Sequence, residues 1–206
     1  MGDFRLPPCS TLVVGMTGSG KTTFALRYLL NVSAACRFIF DDLGRAATRL
    51  RLTPARTANE LERALETRWV VFNPHVMFPG DTQTAFRFFC QWIYDTSRRA
   101  PGKKVFLVDE LWQFCTPSFI PREFTLVTQA GREEGIELFT CTQMPQRINE
   151  SVTGQATELV CFRLAGPKAL ERVTELEAEG EVVAALPLMH FVSYNRLTGG
   201  KLSGKL

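Results

Sequence analysis

Apolar positions along the chain fall into two rhythms that alternate. Short runs rich in β-branched and aromatic residues, TLVV (11–14), CRFIF (36–40), WVVFN (69–73), KVFLVDE (104–110), IELFTCTQ (136–143) and ELVCFRL (158–164), predict six strands. The segments between them carry helical spacing. Residues 22–30 are apolar on nearly every side, as expected of a helix buried against a central sheet. In TANELERALETR, Thr57 is placed to cap a helix and Glu60 to complete a capping box. In TQTAFRFFCQWIYDTSRR, Ala85, Phe89, Trp92 and Ile93 recur on one face, most simply as core packing. An arginine-rich connector, GRAATRLRLTPAR, follows the second strand, and a helix near 167–179 and a hairpin, HFVSYNRLTGGKLSGKL, close the chain. Strands alternating with helices predict an α/β fold: a mostly parallel sheet covered on both faces, with its ligand at the carboxyl ends of the strands.

Composition narrows the class without naming a function. The 206 residues suit one domain with a sizeable core, and no internal repeat or low-complexity linker divides them. With 45% hydrophobic and 22% charged residues, the balance is that of a soluble globular protein. No stretch of about 18 uncharged apolar residues is present, so no membrane span is expected. The opening MGDFRLPPCS lacks the apolar centre of a secretion signal, and Gly2 is a faint acylation signal at best. Six cysteines lie far apart with no C-x-x-C pair, and Cys36, Cys141 and Cys161 fall inside apolar runs. They read as reduced core residues rather than zinc ligands. A net charge of +3 does not by itself imply a nucleic-acid partner.

The candidate chemistry begins at GMTGSGKTT. Gly15, Gly20, Lys21 and Thr22 fill the pattern G-x-x-x-x-G-K-[ST], with a strand before it and a helix-forming run after it. Residues Gly15, Thr17, Gly18, Ser19, Gly20, Lys21, Thr22 and Thr23 are therefore the candidate nucleotide-binding set, and a plain glycine-rich turn is the duller reading. A second apolar strand runs into Asp109 and Glu110. Asp109 would share Mg²⁺ with the Thr22 hydroxyl, leaving Glu110 free to polarise a water for attack on the terminal phosphate. Gln143 closes the fifth strand, where an amide would touch both that phosphate and the water, or else cap the turn before Pro145. The guanine-reading N-K-x-D motif is absent. KLSGKL falls short of the L-S-G-G-Q signature of transporter cassettes.

The order GMTGSGKT, VFLVDE, then GREEGIELFTCTQMPQRINESV resembles the FtsK-HerA superfamily of P-loop ATPases over about residues 10–164. Within it, the chain looks like the genome-packaging ATPases of tailless, membrane-containing icosahedral viruses and phages. R-x-x-G before an apolar strand, then T-Q-x-P and an Asn, is the discriminating part. The resemblance implies a RecA-like (ASCE) P-loop fold and a homo-oligomeric ring, commonly a hexamer. Such a ring uses ATP and Mg²⁺ to move double-stranded DNA, here into a capsid at its packaging vertex in the host cytoplasm. It also implies that Lys21, Glu110 and Gln143 are catalytic, and that Arg132 matches the arginine such rings present to a neighbour, with Arg147 and Arg163 as competing candidates. No separate barrel, membrane anchor or DNA-reading domain is recognised, which favours a packaging core over a conjugation pump.

Two basic clusters remain. Arg45, Arg49, Arg51 and Arg56 lie in one connector, and Arg98, Arg99, Lys103 and Lys104 precede the fourth strand. On a ring channel such residues bind phosphates without reading sequence, whereas a solvated face is the commoner origin of such runs. Arg45, Arg49 and Arg51 are the stronger DNA candidates. The rival functions are a Zot-like virion-assembly or secretion ATPase, a P-loop small-molecule kinase, and a nucleotide-binding assembly protein without hydrolysis.

Overall fold

Each predicted strand buries side chains on both of its faces, which a single covering layer cannot satisfy, and the arrangement of the chain answers that demand. The computed structural model describes residues 10–206; the leader and acylation readings, with Cys9, lie outside them. The first half runs β1 (Ser10–Val14), α1 (Lys21–Asn31), β2 (Cys36–Phe40), α2 (Arg45–Leu50), α3 (Ala58–Thr67), β3 (Trp69–Phe72) and α4 (Thr82–Arg99). The second half runs β4 (Lys104–Val108), α5 (Arg122–Gln129), β5 (Ile136–Thr142), α6 (Glu150–Gly154), β6 (Glu158–Phe162), α7 (Pro167–Glu175), α8 (Gly180–Ala185), β7 (His190–Asn195) and β8 (Gly200–Lys205). The strands form one sheet in the order β3-β2-β4-β5-β1-β6-β7-β8. Pairing is parallel from β3 to β6 and antiparallel through the C-terminal hairpin. This is the α/β fold expected, with β5 inserted between the strand that precedes the glycine loop and the strand that ends in the carboxylates.

Alternation along the strands divides the core in two. Phe106 and Val108 of β4 and Ile136 and Leu138 of β5 face α3, α4 and α5, while Val105, Leu107, Phe139 and Cys141 face α1 and α2. Phe89 of α4 anchors the first layer, with its ring 5.0 Å from Phe72, 5.8 Å from Phe106, 5.9 Å from Trp92 and 6.1 Å from Phe40. The capping box of α3 is formed: Glu60 N–H donates to Thr57 Oγ1, and the Glu60 carboxylate accepts from Thr57 N–H. The five cysteines among the described residues are buried and free, and burial pushes their thiols up; Cys36 reaches about 11.

Four readings change. Helix α1 is not apolar all round: Leu30 is 60% exposed and Arg27 and Asn31 face solvent, because only one side of the helix meets the sheet. The helix expected near 167–179 is α7, which stops at Glu175 before Glu177 at φ 72°, and a further short helix, α8, follows beyond that range. The arginine-rich connector contains α2, whose first amides are capped from a distance: Ala46 and Ala47 N–H donate to the buried Asp41 carboxylate. The second basic cluster is divided: Arg98, Arg99 and Lys103 are exposed, whereas Lys104 is built into the fold. Lys104 is 2% exposed, donates to the carbonyls of Ser97 and Glu134 at 3.0 and 2.8 Å, and has its pKa lowered by burial. Lys103 lies 2.6 Å from the buried Glu137 carboxylate, which also accepts the Tyr28 hydroxyl.

Replacing Phe89 with Ala empties the centre of the aromatic layer and should cost about 3–5 kcal/mol, against about 1 kcal/mol for Thr57→Ala at the α3 cap. Urea denaturation of both variants checks the ranking; a Phe89→Ala protein as stable as Thr57→Ala would contradict it.

Candidate functional site

The loop between β1 and α1 is shaped by close approach. Gly15 N–H donates to the Thr142 carbonyl of β5 and Met16 N–H to the Arg163 carbonyl beyond β6, so the loop is tied to the strands on either side. A Cβ on Gly15 would lie 2.6 Å from Ser19 Oγ and 2.7 Å from Phe162 Cβ, which explains why only hydrogen fits there. Gly20 sits at φ 118°, and a Cβ on it would lie 2.6 Å from Leu206 Cδ1 and 3.1 Å from Met189 Sδ. The loop then opens onto the N-terminus of α1, whose first-turn amides have no intrahelical acceptor and meet no acidic side chain. Ser19 Oγ is buried without a hydrogen-bond partner, and Lys21, 5% exposed, turns its ammonium back to the Met16 carbonyl at 3.2 Å. Free amides, a helix N-terminus and an ammonium around one small loop form a site for phosphate groups.

Asp109 and Glu110 meet this loop from the far side of β5. Thr22 Oγ1 donates to Asp109 Oδ2 over 2.9 Å, bringing a hydroxyl and a carboxylate together. All-oxygen donors of this kind fit Mg²⁺, which takes one or two protein ligands and completes its shell with phosphate oxygens and water. Glu110 stands at φ 54°, ψ 51°, a left-handed conformation that a non-glycine residue holds only under constraint. It is less free than the sequence suggests. Its Oε2 accepts the Trp112 indole N–H at 2.9 Å and the Gln143 backbone N–H at 3.3 Å. Burial raises the Glu110 pKa and Asp109 adds to that, while the Lys21 cation and the two hydrogen bonds pull it down.

Gln143 also reaches the loop directly, for its Oε1 accepts the Thr17 hydroxyl at 2.6 Å. Thr17, Lys21, Thr22, Asp109, Glu110 and Gln143 thus converge at the carboxyl edge of β1, β4 and β5. Arg45 lines the pocket that Thr22, Asp109 and Glu110 share with Asp42, while Arg49 and Arg51 are exposed beside it. Arg132 does not join them. It lies before β5, in a groove with Gln155, Thr157 and Arg196 at the opposite edge of the sheet, about 15 Å away along a five-residue strand. No ion pair holds it among the described residues, and its neighbour Glu134 faces Arg98 instead. Arg147 spreads its guanidinium over the Trp112 ring, 5.6 Å from the centroid. Two contributors escaped sequence reasoning. Trp112 was legible only as an aromatic near an acid, and Met189, whose N–H donates to the Ser19 carbonyl at 3.1 Å, lies 170 positions from its partner.

Known proteins share this fold. The chain superposes on the genome-packaging NTPase B204 of Sulfolobus turreted icosahedral virus 2, solved with AMPPCP, with a TM-score of 0.76, 19% identity and coverage of 98% of this chain and 99% of that one. It superposes on the plasmid coupling protein TrwB, solved with ADPNP, with a TM-score of 0.71, 10% identity and coverage of 97% and 86%. These likenesses show a shared α/β fold over nearly the whole chain. In sequence, the chain is 26% identical over 167 residues to Protein P9 of Pseudoalteromonas phage PM2, covering 81% of this chain and 74% of that protein. No family model matches. In this chain the phosphate loop is braced by the C-terminal hairpin, since Leu206 N–H donates to the Met189 carbonyl and both side chains pack on Gly20.

Gly20→Ala drives a Cβ into that brace at a positive φ, so it should weaken binding of a fluorescent ATP analogue at least tenfold. Gly18→Ala, at φ 77° with nothing within 4 Å, should weaken it less. Equal losses would show that backbone strain, not the brace, sets the loop.

Proposed function

We propose that this chain is an ATP-hydrolysing motor that moves double-stranded DNA, most simply the packaging ATPase of an icosahedral virus or phage. The observation that carries the proposal is the meeting of the Thr22–Asp109 pair, Glu110 and Gln143 around one phosphate loop. The likeness to B204 supports the packaging role, and the TrwB fold supports DNA handling. On this reading the protein works as a homo-oligomeric ring, commonly six subunits, at a capsid vertex in the host cytoplasm, and its further partners are the vertex proteins.

The residues divide the work. Loop amides and Lys21 would hold the β- and γ-phosphates. Thr22 and Asp109 would hold Mg²⁺, which neutralises phosphate charge when bound. Glu110 accepts a proton from the attacking water as the water oxygen bonds to the γ-phosphorus and the bond to the bridging oxygen breaks, its electron pair leaving on ADP. Gln143, held between Thr17 and Glu110, would sense whether the γ-phosphate is present. Arg132 is too far from its own loop to serve it, and in a ring it would be offered to the neighbour's nucleotide. Arg49 and Arg51 would meet the DNA backbone, and Arg45 stands between that surface and the nucleotide pocket.

Duplex DNA should stimulate phosphate release, Lys21→Ala should abolish it, and Glu110→Gln should bind ATP yet turn over at least about 100-fold more slowly. Loss of Arg45, Arg49 and Arg51 together should flatten the salt dependence of DNA binding by up to roughly three in log–log slope per subunit. Phosphate release indifferent to DNA but requiring a small acceptor would point to a kinase. The shared-site reading has its own test: Arg132→Ala subunits mixed with Lys21→Ala subunits should recover activity that neither has alone, because an intact pocket then meets an intact arginine. Mixed rings that form and stay inactive would remove Arg132 from catalysis in the neighbour.

A further inference from the structure

We infer that Trp112 is a positioning residue for Glu110: its indole N–H fixes which carboxylate oxygen meets the attacking water. This rests on the ATPase reading above. The indole nitrogen donates to Glu110 Oε2 over 2.9 Å, and the Gln143 backbone N–H reaches the same oxygen at 3.3 Å. Two donors occupy one oxygen, which leaves the other, Oε1, as the one to accept from the attacking water. Local backbone makes this possible. Glu110 reverses the chain at φ 54° and the 3-10 turn Leu111–Gln113 follows, which brings a side chain two residues later back onto the carboxylate. Meanwhile Glu110 N–H donates to Asp109 Oδ1 at 3.1 Å, so the two adjacent acids are held in separate orientations.

The outer face of the indole is covered in turn. Arg147 lies over the ring at 5.6 Å, and it belongs to the 3-10 turn Pro145–Arg147 that begins two residues after Gln143. The segment carrying the γ-phosphate sensor therefore also presses on the side chain that orients the base. A carboxylate left to rotate would have to be ordered during each reaction cycle, whereas one held by two donors is ordered beforehand, and such preorganisation acts on turnover rather than on nucleotide affinity. Glu110 accordingly depends on three elements at once: the end of β4, the end of β5 and the turn between them.

The decisive experiment replaces Trp112 in the full chain with β-(3-benzothienyl)alanine, in which sulfur stands where the N–H was and the ring keeps its size and its contact with Arg147. The expected result is a fall in kcat of about tenfold, the scale for losing a hydrogen bond to a charged group, with KM for ATP changed less than about twofold. Trp112→Phe should do the same or more. In a Glu110→Gln background neither change should lower the residual rate further, which a general packing role would not produce. A benzothienyl protein that turns over like the parent overturns the inference, as does an equal loss in the Glu110→Gln background. The parent and Lys21→Ala are run alongside: a parent no faster than Lys21→Ala would instead fail the ATPase reading, and the inference with it.

Discussion

The bond between Thr22 and Asp109 joins the helix that follows β1 to the residue that follows β4, two strands that are not neighbours, and the parallel register of three strands is what permits it. Leu12 of β1 and Val108 of β4 both pair with Thr140 of β5, so the three strands end at almost one height. From that level β4 continues into Asp109 and Glu110, β5 into Gln143, and β1 into the glycine loop. A slip of one residue in either ladder would turn every side chain of that strand to the other face. Burial on both faces forbids such a slip, because Phe106 and Leu107 occupy different core layers. The hydrophobic core therefore sets the geometry of the polar site, and the site adds little to holding the sheet together.

Much of this was legible because it follows from local periodicity. The runs at 36–40 and 82–99 coincide with β2 and α4, and the Thr57–Glu60 box formed as its spacing required. What was not legible is what depends on distant partners. Helix α2 is six residues long and is capped by Asp41 across Asp42, Leu43 and Gly44, so no signal adjacent to it announces a helix. The run Arg98–Lys104 looks like a basic patch in sequence, yet Lys104 is taken inside by two carbonyls that come from other turns of the chain. In the site, the motif residues were readable by type and spacing. The hydrogen bonds of Glu110 were not, since they depend on a left-handed residue that nothing in DELWQF requires.

The two edges of the sheet carry different chemistry. The carboxyl edge gathers the phosphate loop, the acids and Gln143, while Arg132 stands at the amino edge in an open groove with Arg196. Arg196 there donates to the carbonyls of Thr153 and Ala156, which leaves Arg132 as the less committed of the two. If a neighbour's amino edge closes over this carboxyl edge, hydrolysis and assembly become one event, and an isolated subunit is a poor enzyme. The brace of Met189 and Leu206 on Gly20 then gives the C-terminal hairpin a direct mechanical link to the phosphate loop.

The central claim is movement along DNA driven by ATP, and displacement of a triplex measures that directly. A labelled third strand is annealed near one end of a linear duplex, and its release is followed by gel electrophoresis after the protein and ATP are added. The account predicts release that requires hydrolysable ATP, lags longer as the duplex leading to the triplex is lengthened, and vanishes with Lys21→Ala. Rapid ATP hydrolysis with the third strand left in place, on duplexes the protein demonstrably binds, would contradict it.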